Sequence, residues 1–157
     1  IYFSIGNHER YEDLDDILQR LKNLGVTVLR SQTHIHEQVQ LIGIDDQERP
    51  DQVERELATL QVDRNRFVLL LYHRPRGLRA AASAGVDLMI SGHTHNGQIV
   101  PFNFIVGRVF EQTVGLFREG MTQLYVSPGT GTWGPVMRLG SKGEVTLFEV
   151  EPIPTRQ

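Results

Sequence analysis

Apolar positions along this chain change their period several times, and each change predicts an element. Ile1-Tyr2-Phe3-Ser4-Ile5 is an apolar run that ends at Gly6 and predicts a strand. Over residues 12–24, Leu14, Ile17, Leu18, Leu21 and Leu24 recur at helical spacing, which predicts a helix with one apolar stripe and a stop at Gly25. Val26 to Leu29 predicts a short strand, and the alternating residues 38–44 predict another. A helix over residues 51–60 follows, with Val53, Leu57 and Leu60 on its buried side. The continuous run Phe67 to Leu71 has the pattern of a strand covered on both faces. An Ala-rich helix over 78–84, closed by Gly85, leads to the apolar strand Val86 to Ile90.

Strand and helix thus alternate through the middle of the chain, the pattern of α/β units with parallel pairing. The last third differs. Residues 123–127, 136–139 and 144–150 predict short strands separated by Gly and Pro, an antiparallel or mixed edge. There is no internal repeat and no linker.

Composition narrows the classes. The 157 residues carry 16 Lys and Arg against 19 Asp and Glu, a net charge of −3, so nothing points to nucleic acid. Cysteine is absent, which excludes thiol catalysis, disulfides and thiolate zinc sites. No apolar run is long enough to span a bilayer. The chain opens at Ile1 inside an apolar run, without Met, and shows no signal segment, so localisation stays open.

The candidate chemistry sits where strands end. The first strand hands over to Gly6-Asn7-His8-Glu9, the 67–71 run to Tyr72-His73-Arg74-Pro75, and Ile90 to Ser91-Gly92-His93-Thr94-His95-Asn96-Gly97-Gln98. Ligands of open α/β sheets bind outside the carboxyl ends of the strands, so these clusters converge. Imidazoles suit Zn, Fe or Mn, and the Asn7 amide oxygen adds a harder donor. His93 and His95 in a glycine-flanked loop can reach two positions of a two-metal site. Read singly, each cluster also fits a structural role: a hydrogen-bonded strand-end His73, or an Asn7 turn. His34 and His36 fit a solvated strand face, and Asp45-Asp46 fits either a carboxylate pair that positions a substrate or metal or, beside Gln47, Glu48 and Pro50, the favoured solvated turn. Arg74 and Arg76 fit either a phosphate contact or a solvated loop.

Taken together, Gly6-Asn7-His8-Glu9, a histidine closing an apolar strand, and Gly92-His93-Thr94-His95 resemble the calcineurin-like metallophosphoesterases. The tail Tyr125 to Pro135, followed by Met137 to Ser141, resembles the bacterial branch found as membrane-associated or exported phosphoesterases. The resemblance implies an α/β fold, a mixed-sheet sandwich flanked by helices, and hydrolysis of phosphate esters, phosphodiesters first, by a hydroxide activated on two divalent ions (Mn, Fe, Zn or similar). It implies that Asn7, His73 and His93 ligate one ion and His95 the other, that His8 is the general acid, and that Glu9 is its carboxylate partner. An imidazole, titrating at about 6.5, suits proton delivery near neutrality.

The family's upstream Asp-x-His and Gly-Asp-x-x-Asp motifs are absent. The expectation is therefore that residues 1–157 are the C-terminal portion of a single domain, incomplete at the N-terminus. Such a piece is expected to have little activity alone, and its exposed strand edge implies either a further N-terminal part in the same molecule or self-association. The apolar segment 100–121 fits either core packing or contact with a membrane or lipid-like substrate. Two other classes remain: a non-catalytic metal-binding scaffold of the same fold that binds a protein partner, and a single-metal histidine enzyme such as an oxygenase. The latter requires a carboxylate, and these clusters offer only Glu9.

Overall fold

The computed structural model describes residues 1–151. The opening apolar run supplies β1 (Tyr2–Phe3), which pairs in parallel with β2 (Thr27–Val28) as a two-stranded sheet. Between them lies α1 (Leu14–Asn23). Asp13 caps it by accepting from Asp16 N–H at 3.1 Å, Asp15 and Asp16 sit in the first turn, and Arg20 and Lys22 in the last, all matching the helix dipole. Its apolar stripe is only half-buried, and Leu24 leaves it to cap the helix in the open.

The larger sheet has six strands: β3 (Gln32–His36), β4 (Val39–Ile44), β5 (Phe67–Tyr72), β6 (Leu88–Ser91), β7 (Gly115–Glu119) and β8 (Thr122–Val126). Their spatial order is β3-β4-β5-β6-β8-β7. The four central strands run parallel, and β3 and β7 are antiparallel edges. This is the α/β mixed sheet flanked by helices that the alternation predicts.

One face of this sheet is the core. Ile42, Ile44, Val68, Leu70, Tyr72, Met89, Leu124 and Val126 pack there against Val53 and Leu57 of α2 (Gln52–Thr59) and Ala81 of α3 (Leu78–Ala84). The other face departs from expectation. Leu69, Leu71 and Ile90 are half-buried, so the continuous apolar run of β5 is fully covered on one side only. No strand forms at 136–139 or 144–150; Leu139 and Gly140 make isolated bridges to Ile99, and Val145 and Leu147 lie exposed. Three elements are additional: the edges β3 and β7, and α4 (Phe102–Val109) within the apolar segment 100–121. His34 and His36 lie on the fully exposed β3, as the solvated-face reading anticipates.

Candidate metal centre

Parallel register brings the chemistry together. Ile44 pairs with Tyr72 and Leu71 with Ile90, so β4, β5 and β6 end side by side, releasing Asp45-Asp46, His73 and the Gly92-His93 loop at one edge. The exit of β1 joins them, because Asp46 N–H donates to Ile5 C=O at 2.9 Å.

Three donor atoms meet there. His73 Nε2 lies 2.8 Å from Asn7 Oδ1, His93 Nδ1 lies 3.2 Å from the same oxygen, and the two ring nitrogens are 3.0 Å apart. Ligand atoms held at about 2.1 Å by one ion are about 3.0–3.4 Å apart, so this triangle has the span of one face of a coordination sphere. Burial pushes the His93 imidazole down to about 3, and the neighbouring His73 adds to it; burial lowers His73 as well. Both rings are neutral near pH 7 and keep lone pairs for a cation. Among the described residues no three His, Cys, Asp or Glu side chains converge on a metal position; the third donor here is an amide.

The amide is held from behind. Asn7 Nδ2 donates to Tyr11 Oη at 3.5 Å, and Tyr11 donates to Glu48 at 3.1 Å. Glu48 also accepts from Arg74 Nη2 at 2.6 Å, while Arg74 Nε donates to Asp46 Oδ2 at 2.7 Å. The network leaves Oδ1 facing the two histidines. It also corrects the solvated-turn reading of Asp45-Asp46. Asp46 is fully buried against Arg74, and Asp45 is buried against Arg30 at 2.9 Å and Arg10 at 3.5 Å. The sequence signal that could have found them is their position, directly closing an apolar strand beside the one that ends on His73.

His8 and His95 line the same cavity, about 240 Å³, together with Asn7, His73, His93, Val106, Phe110 and Trp133. His95 is pushed down by burial and then by Arg138, whose Nη2 lies 3.4 Å from His95 Nδ1. Glu9 departs from its expected place. Its carboxylate accepts from Gly6 N–H at 2.8 Å, because successive residues of the short 3-10 turn His8–Arg10 point about 120° apart.

The Gly92-to-Gln98 loop is strained. His93, His95, Asn96 and Gln98 all have positive φ, whereas Gly92 does not. Gly97 has φ +72, and a Cβ there would stand 2.2 Å from Asn103 Cα, so only glycine lets α4 approach. The buried Gln98 was not anticipated: its amide donates to the Trp133 and Pro135 carbonyls at 2.9 and 3.0 Å and accepts from Trp133 N–H at 2.8 Å. Arg138 and Ser141 were not anticipated either. Arg138 donates to the Pro128, Gly129 and Gly131 carbonyls, and Ser141 to the His95 carbonyl at 2.8 Å. The two arginines beside His73 also separate. Arg74 is consumed by Asp46 and Glu48. Arg76 has no carboxylate partner among the described residues and stacks over Phe110 at 5.0 Å.

The chain is similar to an uncharacterised metallophosphoesterase of Helicobacter pylori, 33% identical over 96% of this chain and 42% of the relative. An uncharacterised metallophosphoesterase of Aquifex aeolicus is 35% identical over 94% of this chain and 59% of the relative. A Bos taurus protein named a transmembrane protein with metallophosphoesterase domain is 32% identical over 98% of this chain and 39% of the relative. The chain therefore spans roughly two to three fifths of these relatives' length. No family model matches the chain, and no solved structure matches it. Among the described residues no helix is long and apolar enough to cross a membrane.

Proposed function

We propose, from its likeness to proteins named metallophosphoesterases, that the chain belongs to that family and serves the metal-dependent hydrolysis of phosphodiesters. In this reading Asn7, His73 and His93 hold one divalent ion and His95 contributes to a second. The observation that carries it is the triangle of one amide oxygen and two neutral imidazole nitrogens at 2.8, 3.0 and 3.2 Å. A divalent ion supplies Lewis acidity toward the phosphoryl oxygens and an attacking water deprotonated near neutral pH.

The chain's own residues supply the rest. The Tyr11–Glu48–Arg74–Asp46 network fixes the Asn7 amide, so its oxygen needs no reorganisation when a cation arrives. His8, on the cavity wall, passes a proton from its ring N–H to the departing alkoxide oxygen. Val106, Phe110 and Trp133, apolar residues of the cavity lining, limit water there.

These donors are all neutral, and among the described residues no cluster of three His, Cys, Asp or Glu side chains adds a carboxylate to them. Weak metal affinity and little turnover are therefore expected from these residues by themselves, with turnover where the two acidic motifs accompany them. The test is hydrolysis of bis(p-nitrophenyl) phosphate and of the monoester by the intact protein with Mn²⁺. We expect diester turnover that a chelator abolishes and that His93→Ala lowers about a hundredfold or more. Turnover indifferent to both treatments contradicts the assignment.

A further inference from the structure

Each imidazole of the donor triangle has a second nitrogen on its far side. His73 turns Nε2 to the triangle, 2.8 Å from Asn7 Oδ1 and 3.0 Å from His93 Nδ1. A cation there takes the Nε2 lone pair, so the single proton of the neutral ring sits on Nδ1 and needs an acceptor. A ligating histidine almost always finds one, and that partner fixes both the tautomer and the orientation of the ring. Among the described residues the His73 ring bonds only through Nε2, which leaves Nδ1 without a partner.

The carboxylates whose charge reaches this ring are Asp46 and Glu9. Asp46 is committed elsewhere: Oδ2 takes Arg74 Nε at 2.7 Å and Oδ1 takes Glu48 N–H at 3.0 Å. Glu9 keeps spare capacity. Its Oε2 accepts from Gly6 N–H at 2.8 Å, and among the described residues Oε1 has no hydrogen bond and no cation pairs with the group. The Gly6 bond also places the carboxylate beside the ring. A Cβ added to Gly6 would stand 3.0 Å from Glu9 Oε2 and 3.0 Å from both Cγ and Nδ1 of His73. Carboxylate and ring thus flank one bare Cα, within the span of a single bridging water, and any side chain at residue 6 would crowd them. His8 is placed differently: its ring packs edge-on against Tyr11, with the centroids 5.8 Å apart.

We propose that Glu9 is a positioning residue that acts through His73: its carboxylate accepts the Nδ1–H, directly or across one water, when Nε2 is given to a divalent ion. This rests on the reading of Asn7, His73 and His93 as ligands. Glu9 then serves the cation rather than His8, the partner that the family resemblance gives it. The charge matters as much as the acceptor. The three donors are neutral, and a carboxylate behind His73 makes that ring a more basic ligand and offsets part of the dication's charge. Gly6 N–H holds Glu9 in turn, so the strand exit that delivers Asn7 also fixes the brace of His73.

The test titrates Co²⁺ into the metal-free intact protein and reads its visible ligand-field absorption. Glu9→Gln keeps an oxygen for Gly6 N–H and removes the charge. It is expected to weaken Co²⁺ binding roughly ten- to a hundredfold and to shift the absorption, with an unchanged melting temperature in EDTA. In protein carrying ¹⁵N-histidine and loaded with Zn²⁺, the His73 Nδ1–H exchanges slowly with water, and faster in Glu9→Gln. Three outcomes overturn the proposal. The first is wild-type Co²⁺ affinity in Glu9→Gln. The second is weakened binding with an unaltered His73 Nδ1–H signal and a lowered melting temperature, which is a structural role. The third is a freely exchanging His73 Nδ1–H in the wild type, which decides the matter even where the variant does not fold. Wild-type Co²⁺ binding that is indifferent to His93→Ala defeats the ligand reading and this proposal with it. Binding that needs His93 and ignores Glu9→Gln defeats the role of Glu9 alone.

Discussion

A single carboxylate shows how the centre is held at the scale of residues. Asp46 is fully buried, takes Arg74 Nε at 2.7 Å and Glu48 N–H at 3.0 Å, and thereby fixes the chain of contacts that orients Asn7. Asp46→Asn leaves the Arg74 guanidinium, itself mostly buried, with Glu48 alone. We expect a loss of about 3 kcal/mol in urea unfolding, the size seen when one partner of a buried pair is removed. Tyr72 presents the opposite case. Its hydroxyl is buried without a hydrogen-bond partner, and burial, then Asp46, pushes it up to about 12. The folded group holds its proton more tightly than the unfolded one, so stability falls as pH rises from about 10 toward 12. Tyr72→Phe removes that alkaline loss and is neutral or stabilising at pH 7, because the phenyl ring leaves no unpaired hydroxyl. Thermal melts of both proteins at pH 7 and pH 11 check the sign. His73, His93 and Asn7 were legible as candidates because each closes an apolar run. Asp46 was not, since a buried ion pair and a solvated acidic turn have the same local composition; only the partner 28 residues away distinguishes them.

At the scale of elements, the strained loop and α4 act as one unit. Gly97 packs on Asn103, Gln98 fastens the Trp133 loop, and Ser141 bonds the His95 carbonyl. Gly97→Ala places a methyl 2.2 Å from Asn103 Cα at φ +72. The expected cost is at least about 2 kcal/mol, accompanied by a change in Trp133 emission as α4 is displaced. An unchanged melting temperature would show that α4 does not pack there in solution. The apolar patterns revealed elements with a buried side, α2, α3, β4, β5, β6 and β8, and also α1, whose stripe is only half-buried. The strand β3 was hidden because all five of its residues are exposed, leaving no alternation to read. The helix α4 was ambiguous because it is apolar on its outer face as well, which blurs helical spacing. Expected strands at 136–139 and 144–150 did not form; β propensity is local, whereas a strand needs a neighbour to bond.

For the molecule as a whole, a mixed sheet gathers strand ends at one edge, and the loops there assemble a neutral three-atom donor set in a cavity that Val106, Phe110 and Trp133 also line. The parallel register explains how residues 7, 73 and 93 meet. The central claim is that these three side chains bind one divalent ion. Crystals of the protein soaked in Zn²⁺ and measured at the zinc absorption edge test it most directly. The account predicts an anomalous peak about 2.0–2.2 Å from Asn7 Oδ1, His73 Nε2 and His93 Nδ1 together. A triangle without a peak, with zinc found instead at the exposed His34 and His36, would contradict it.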